Sequence, residues 1–348
     1  MTVGLPIKPP YPVMEAELVR ELPRGREWQY EPKWDGFRCL AFRDGATVEL
    51  QSKSGKPLAR YFPDIVATLM ALSAPRFVID SELVIPVDGG TSFEELQLRL
   101  HPAASRVRKL AAAHPAVMIA FDLLVDESGR SLAEEPMKDR RKALERFHGR
   151  FAKRVERLRL SPATTDMKQA LEWLRRAGPS LDGIVAKRLD LGYRSGDRTG
   201  MVKFKVIRSA DCVVGGFRYL TGTKVVGSLL LGLYGEDGLL HHVGFTSSFG
   251  EEDRKALTAR LERLRRAPGF TGRTPGGPSR WSTERTGEWE PLKPVLVVEV
   301  AYDQYTGGRF RHGTKFLRWR PDKAPVQCTF GQVEKKPLGA HAPLKGFA

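Results

Sequence analysis

Apolar and polar residues alternate in short runs along most of this chain, the period-two pattern of half-buried strands. The stretch 37–51 shows it clearly: Phe37-Arg38-Cys39-Leu40-Ala41-Phe42 and Thr47-Val48-Glu49-Leu50 flank the tight-turn dipeptide Asp44-Gly45, which predicts a hairpin. Further strands are predicted at 76–85, 116–125, 181–189 and 201–207, separated by polar helical stretches at 131–147 and 166–177. Residues 1–207 should therefore form a first domain of antiparallel sheets with flanking helices. From Arg208 the texture changes to shorter strands at 210–217, 227–234, 239–245 and 295–302, with a helix at 251–266 that carries Leu257, Leu261 and Leu264 on one face. A second domain, residues 208–348, is expected to be a five-strand barrel with one helix and a C-terminal tail. The stretch 269–288, rich in Gly, Pro, Ser and Thr, reads as an exposed loop within it. The fold class is α+β.

Composition narrows the choice of partners. The 348 residues carry a formal charge of +16 and are 41% hydrophobic, as expected of a globular protein whose partner is a polyanion. No run approaches the ~18 apolar residues of a membrane span, and the N-terminus lacks a secretory pattern, so a cytoplasmic, nucleoid-associated protein is expected. Cys39, Cys212 and Cys328 are far apart and read as buried thiols. Arg309-Phe310-Arg311, Lys315-Phe316 and Arg318-Trp319-Arg320 interleave cations with aromatics, a pattern that can hold phosphates and stack on bases.

The chemistry centres on Lys33, in Glu31-Pro32-Lys33-Trp34-Asp35-Gly36-Phe37-Arg38. An ammonium has no lone pair to attack with, so a nucleophilic lysine needs desolvation or neighbouring cations. Alternation in Met201-Val202-Lys203-Phe204-Lys205 puts Lys203 and Lys205 on one strand face, where they could supply that field; by itself such a pair is more often plain solvated surface. Asp80-Ser81-Glu82 interrupts an apolar strand, and an acid pointing inward there requires a partner.

Lys33-Trp34-Asp35-Gly36-Phe37-Arg38, Ser52-Lys53-Ser54-Gly55, Asp80-Ser81-Glu82, Phe121-Asp122-Leu123-Leu124, Asp182-Gly183-Ile184-Val185-Ala186-Lys187, Lys203-Phe204-Lys205 and Arg318-Trp319-Arg320-Pro321-Asp322-Lys323 form an ordered series. In type and order the series resembles the nucleotidyltransferase motifs of ATP-dependent DNA ligases, with the closest likeness to the small bacterial ligase C type, related to the ligase part of ligase D. The resemblance spans about Pro9 to Cys328. It implies an adenylyltransferase domain followed by an OB-fold, and sealing of 5′-phosphate/3′-hydroxyl nicks in duplex DNA through lysyl-AMP and DNA-adenylate. ATP and Mg²⁺ or Mn²⁺ would be the cofactors.

The resemblance also implies roles for individual residues. Lys33 would attack the α-phosphate, with Lys203 and Lys205 contacting that phosphate. Glu82 and Asp182 would hold the metal, Asp182 through water because it replaces a longer glutamate. Phe121 would stack on adenine and Glu31 read its edge, with Pro32, Trp34 and Lys187 completing the nucleotide site. Arg38 would reach the ribose or the nick, and Lys53, at a place where relatives carry arginine, would offer only a point charge. Arg320 and Lys323 would contact the β- and γ-phosphates, while Arg309, Arg311, Lys315 and Arg318 would grip DNA.

With 32 residues ahead of Lys33 and no cysteine cluster, ATP use is expected rather than NAD use. RNA ligation or mRNA-capping-type transfer remains as the enzymatic alternative, and a catalytically idle nucleic-acid-binding module as the non-enzymatic one. A monomer is expected, acting in DNA repair, with separately encoded repair or end-joining proteins as candidate partners.

Overall fold

The computed structural model describes residues 4–87, 90–177, 181–249, 253–276 and 288–334. They fall into two compact units that part between Lys205 and Val206. The first unit holds two main sheets. One runs in the order Thr47–Ser52, Phe37–Asp44, Arg76–Val84, Val117–Val125, Leu158–Leu160, and the other in the order Glu17–Val19, Met201–Lys205, Leu181–Arg188, Trp28–Trp34. Neighbours are antiparallel except for the short outer strands Glu17–Val19 and Leu158–Leu160. The central strands of the first sheet are apolar on both faces because both are covered. Phe77 and Ile79 pack with Ile65 and Leu69 of helix Pro63–Met70 and with Leu144 and Phe147 of helix Met137–Phe147. Val78 and Leu124 face a separate cluster with Leu5, Ile7 and Val13.

Lys33 lies inside a strand, Trp28–Trp34, just ahead of the strand Phe37–Asp44. Pro32 lacks the N–H a central strand would need, and it is tolerated because this strand is at the edge of its sheet, paired on one side by Leu181–Arg188. The helix expected at 131–147 begins at Met137, since Pro136 takes an extended conformation and biases the residue before it the same way.

The second unit is an antiparallel sheet ordered Leu240–Thr246, Val226–Tyr234, Arg208–Tyr219, Val297–Tyr302, Lys315–Trp319. The ladder does not close into the expected barrel. Among the described residues its first and last strands approach at one bridge, Thr246 to Thr314, where the Thr246 hydroxyl donates to the Thr314 carbonyl at 2.9 Å. Just beyond it the Phe316 N–H, a donor that a longer ladder would use, goes to Ser248 Oγ at 2.7 Å. Helix Asp253–Glu262 buries Leu261 and half-buries Leu257 against the sheet. The start of the 251–266 helix, most of the 269–288 loop and the tail after Glu334 lie outside the described residues. The three cysteines are buried and free. No helix among the described residues is long and apolar enough to cross a membrane.

His242 carries a stability prediction. Burial against Phe270, 5.4 Å away, and then the charges of Arg309 and Arg218, depress its pKa to about 3. Below its unfolded pKa near 6.5 the unfolded chain takes up a proton that the folded chain refuses. Stability contributed by the neutral ring is thus complete above that pH and falls by roughly 1.4 kcal/mol per unit as pH drops toward 3. Urea denaturation of wild type and His242→Phe at pH 7.5 and 4.5 should show the mutant losing clearly less stability on acidification. Parallel losses would contradict this.

Candidate active site

Two glycines allow the backbone to approach closely enough to build the site. A side chain at Gly36 would begin 2.1 Å from the Leu83 carbonyl, and one at Gly183, where φ is +154°, would begin 1.9 Å from the Phe204 carbonyl. Only glycine fits either place. Gly36 turns the chain from the lysine strand into Phe37–Asp44, and its N–H donates to Glu82 Oε1 at 3.0 Å. Gly183 sits at a register shift and brings its neighbour Asp182 to the lysines: Oδ2 lies 2.5 Å from Lys33 Nζ and 3.5 Å from Lys205 Nζ.

These residues border a cleft of about 1000 Å³ within the first unit, lined by Glu31, Pro32, Lys33, Trp34, Arg38, Lys53, Glu82, Phe121, Lys187 and Lys203 among others. Lys205 and Asp182 join it through Lys33. Burial, and then the charges of Lys33, Lys53 and Lys205, push the Lys203 ammonium below its ordinary pKa. Such crowding of cations favours a bound polyanion. Burial raises Glu82 to about 7 even though Lys33 and Arg38 pull it down, so the carboxylate is under-compensated. A half-buried acid in that condition suits a divalent cation: Mg²⁺ is typically held by one or two carboxylates plus phosphate oxygens and water. Glu82 and Asp182 fit that donor set.

The base-sized end of the cleft is defined by Phe121, with Lys187 Nζ 4.6 Å and the Arg38 guanidinium carbon 5.1 Å from its ring centroid. Glu31 is paired with Lys187 at 2.9 Å. Trp34 is mostly buried, its indole N–H donating to Ser161 Oγ at 3.0 Å. Arg38, expected to reach the ribose or the nick, is held in a fork by Asp80 at 2.9 and 2.6 Å. Burial opposes its charge, but Asp80 outweighs burial and keeps its pKa raised. Asp80, fully buried, also accepts from the Tyr193 hydroxyl at 2.6 Å. Sequence reasoning flagged the acids at 80–82 but not Arg38 as the partner of Asp80, and nothing in the sequence marked Tyr193. Lys53 is exposed and pairs with Glu15 at 3.1 Å.

In the second unit Arg320 and Lys323 converge on Asp211, at 2.8 and 3.4 Å, and Arg320 also forks onto Asp322. Asp322, and then Asp211, hold Arg320 above its ordinary pKa, while Arg320 holds Asp322 down at about 2. Lys315 is exposed and Arg318 pairs with Glu299 at 2.7 Å. Arg309 is half-buried, its pKa lowered by burial and then by Arg273, and Arg311 follows on the same segment. Phe310 is not available for stacking on bases: it is buried against Tyr302, at 4.9 Å, and Tyr305. Alternation along Arg309-Phe310-Arg311 turns the aromatic inward when the cations face out.

A lysine among further lysines and two carboxylates, beside an aromatic-lined recess, is equipment for moving a nucleotidyl group, and that defines the class. Family models narrow it: one described as ATP dependent DNA ligase domain matches residues 14–205, and another, ATP dependent DNA ligase C terminal region, matches residues 222–323. The chain belongs to the ATP-dependent DNA ligase family. It is 44% identical to DNA ligase C2 of Mycolicibacterium smegmatis, covering 96% of this chain and 97% of that protein, and 43% identical to DNA ligase C of Mycobacterium tuberculosis, covering 95% and 96%. A solved Lig E DNA ligase covers 89% of this chain and 99% of its own at a TM-score of 0.56; at 19% identity it bears on the fold alone, including the OB character of the second unit. The enzyme is accordingly an ATP-dependent DNA ligase that uses a divalent cation and acts on nicked DNA.

Proposed function

We propose that Lys33 is the nucleophile, and that the remaining roles follow from its surroundings. The observation that carries this is the contact of Lys33 with Asp182, with Lys205 on the same carboxylate and Lys203 on the same sheet, lining the same cleft. An ion-paired ammonium cannot attack, so the proton on Lys33 must leave and the pair must open as ATP enters. Lys203 and Lys205 then face the α-phosphate and neutralise the charge that grows on it during transfer. The Lys33 nitrogen forms a bond to the α-phosphorus as the bond to the β-phosphate bridging oxygen breaks, and pyrophosphate departs. The lysine phosphoramidate so formed gives AMP to a 5′-phosphate, and the 3′-hydroxyl of the nick finally displaces AMP. Glu82 and Asp182 would hold the divalent cation, which when bound adds positive charge beside the phosphates.

Phe121 stacks on the adenine, while Glu31 and Lys187 border its edge. Pro32 and Trp34 shape the recess. Arg38, fixed by Asp80, supports Phe121 and lies near the ribose. Arg320 and Lys323 act on the pyrophosphate portion of ATP. The enzyme works as a monomer in DNA repair, alongside separately encoded repair or end-joining proteins. Supporting this last point is the 32% identity over 87% of the chain with a Mycobacterium tuberculosis protein named multifunctional non-homologous end joining DNA repair protein LigD, of which the match covers 37%.

DNA is gripped through phosphates by Lys53, Arg309, Arg311, Lys315 and Arg318. Affinity for a nicked duplex should therefore fall steeply with salt, with a log–log slope of about −0.9 per phosphate neutralised, and should vary little with flanking sequence. Fluorescence anisotropy across a salt series measures both. A flat salt response, or strong preference for particular bases, would contradict a backbone grip. The catalytic reading is tested by replacing Glu82 with Gln: capture of AMP should drop at least about a hundredfold, with the loss eased by raising the divalent cation concentration.

A further inference from the structure

Gln29 is absent from every motif discussed above, yet it is the residue that fixes Glu31. The two stand two positions apart on the strand Trp28–Trp34, so their side chains share a face. Gln29 Nε2 donates to Glu31 Oε1 at 2.8 Å, while Lys187 Nζ binds Oε2 at 2.9 Å. Lys187 is directly opposite Gln29 in the ladder, which makes it diagonal to Glu31. All three are nearly inaccessible, at 6%, 2% and 6% exposure. Glu31 and Lys187 line the cleft, and Gln29 stands behind them.

We infer that Gln29 is a specificity-determining residue that secures the choice of adenine over 6-oxopurines by locking the Glu31 carboxylate. This deepens the proposed role of the cleft and rests on it. The terminal torsion of a glutamate is broad and two-fold, so a single ion pair would leave the carboxylate free to turn. With one donor on each oxygen its plane is set, and each oxygen keeps a lone-pair site for a further donor. The 6-amino group of adenine can fill such a site. The 6-carbonyl of guanine or hypoxanthine would bring an acceptor against an acceptor, an arrangement that sites of this type reject strongly. Lys187 is the group that could undo this selection, because an ammonium welcomes a carbonyl. It is held back by Glu31 and by the Phe121 carbonyl at 3.3 Å. If Gln29 no longer holds Glu31, the carboxylate can turn and Lys187 can turn with it to meet a 6-oxo group.

The test uses Gln29→Met, which keeps length and volume but removes the donor, and Gln29→Leu. Covalent labelling of the full chain is measured with α-labelled ATP, ITP and GTP. For Gln29→Met, kcat/KM with ATP should fall about tenfold, mainly through KM, and the preference for ATP over ITP should narrow by at least about tenfold. A packing role alone would lower all three nucleotides together. An unchanged ATP-to-ITP ratio therefore overturns the inference, whether or not overall labelling falls. Nicked-DNA binding, which needs no free nucleotide, reports that the variant is folded. Failure of the wild type to label from ATP would instead strike the underlying assignment of Lys33.

Discussion

Lys33→Ala should abolish covalent capture of AMP and lower nick sealing by at least about a thousandfold, while leaving the affinity for nicked DNA nearly unchanged. The side chain is one of 57 lysines and arginines, so the phosphate grip barely notices its loss. Nor should the fold suffer much, because Asp182 keeps Lys205 as a partner. Lys33→Arg sharpens the result. A guanidinium can retain the pairing with Asp182 but stays protonated and is a poor nucleophile, so this variant should fail equally. Residual activity with Arg would mean that position 33 supplies charge rather than a bond. Denaturing electrophoresis after incubation with labelled ATP, beside anisotropy on a nicked duplex, measures both halves.

Arg320→Ala combined with Lys323→Ala should impair enzyme adenylylation by about a hundredfold or more, yet still seal a pre-adenylylated nick at a substantial fraction of the wild-type rate. If these cations act on the pyrophosphate leaving group, they are needed only when ATP is the substrate. In the described state both are engaged by Asp211, which is mostly buried, and Arg320 is shared with Asp322. Phosphate oxygens must therefore compete with carboxylates for them. Removing both cations leaves Asp211 uncompensated, and some loss of stability is expected. Sealing of the pre-adenylylated nick separates that effect from catalysis. Equal loss in both reactions would assign the residues to the DNA grip or the fold.

Much of this was legible in the sequence where chemistry and local pattern coincide. The hairpin after Gly36, the strand carrying Lys203 and Lys205, and the acids in the apolar run at 80–82 could each be read from alternation. Contacts set by register could not. Asp80 reaches Arg38 across 42 positions and Tyr193 across 113, and Lys187 meets Glu31 across 156. Strand pairing brings Asp80 to Arg38 and Lys187 to Glu31, while Tyr193 arrives on the loop that follows Leu181–Arg188. Pro32 hid the strand containing Lys33, because an edge tolerates a residue that a central strand would refuse. Phe310 looked like a base-stacking platform because cations flank it, whereas the same alternation turns it into the core. Gln29 escaped because a neutral amide carries no signal until its partner is known to be a buried carboxylate.

The most direct measurement of the central assignment compares α-labelled with γ-labelled ATP on the wild-type protein with Mg²⁺, followed by denaturation, proteolysis under conditions that preserve a phosphoramidate, and mass mapping. Lys33 as nucleophile predicts label from the α-phosphate alone, carried by the peptide containing Lys33. Label from the γ-phosphate, or AMP attached to any other residue, would contradict it.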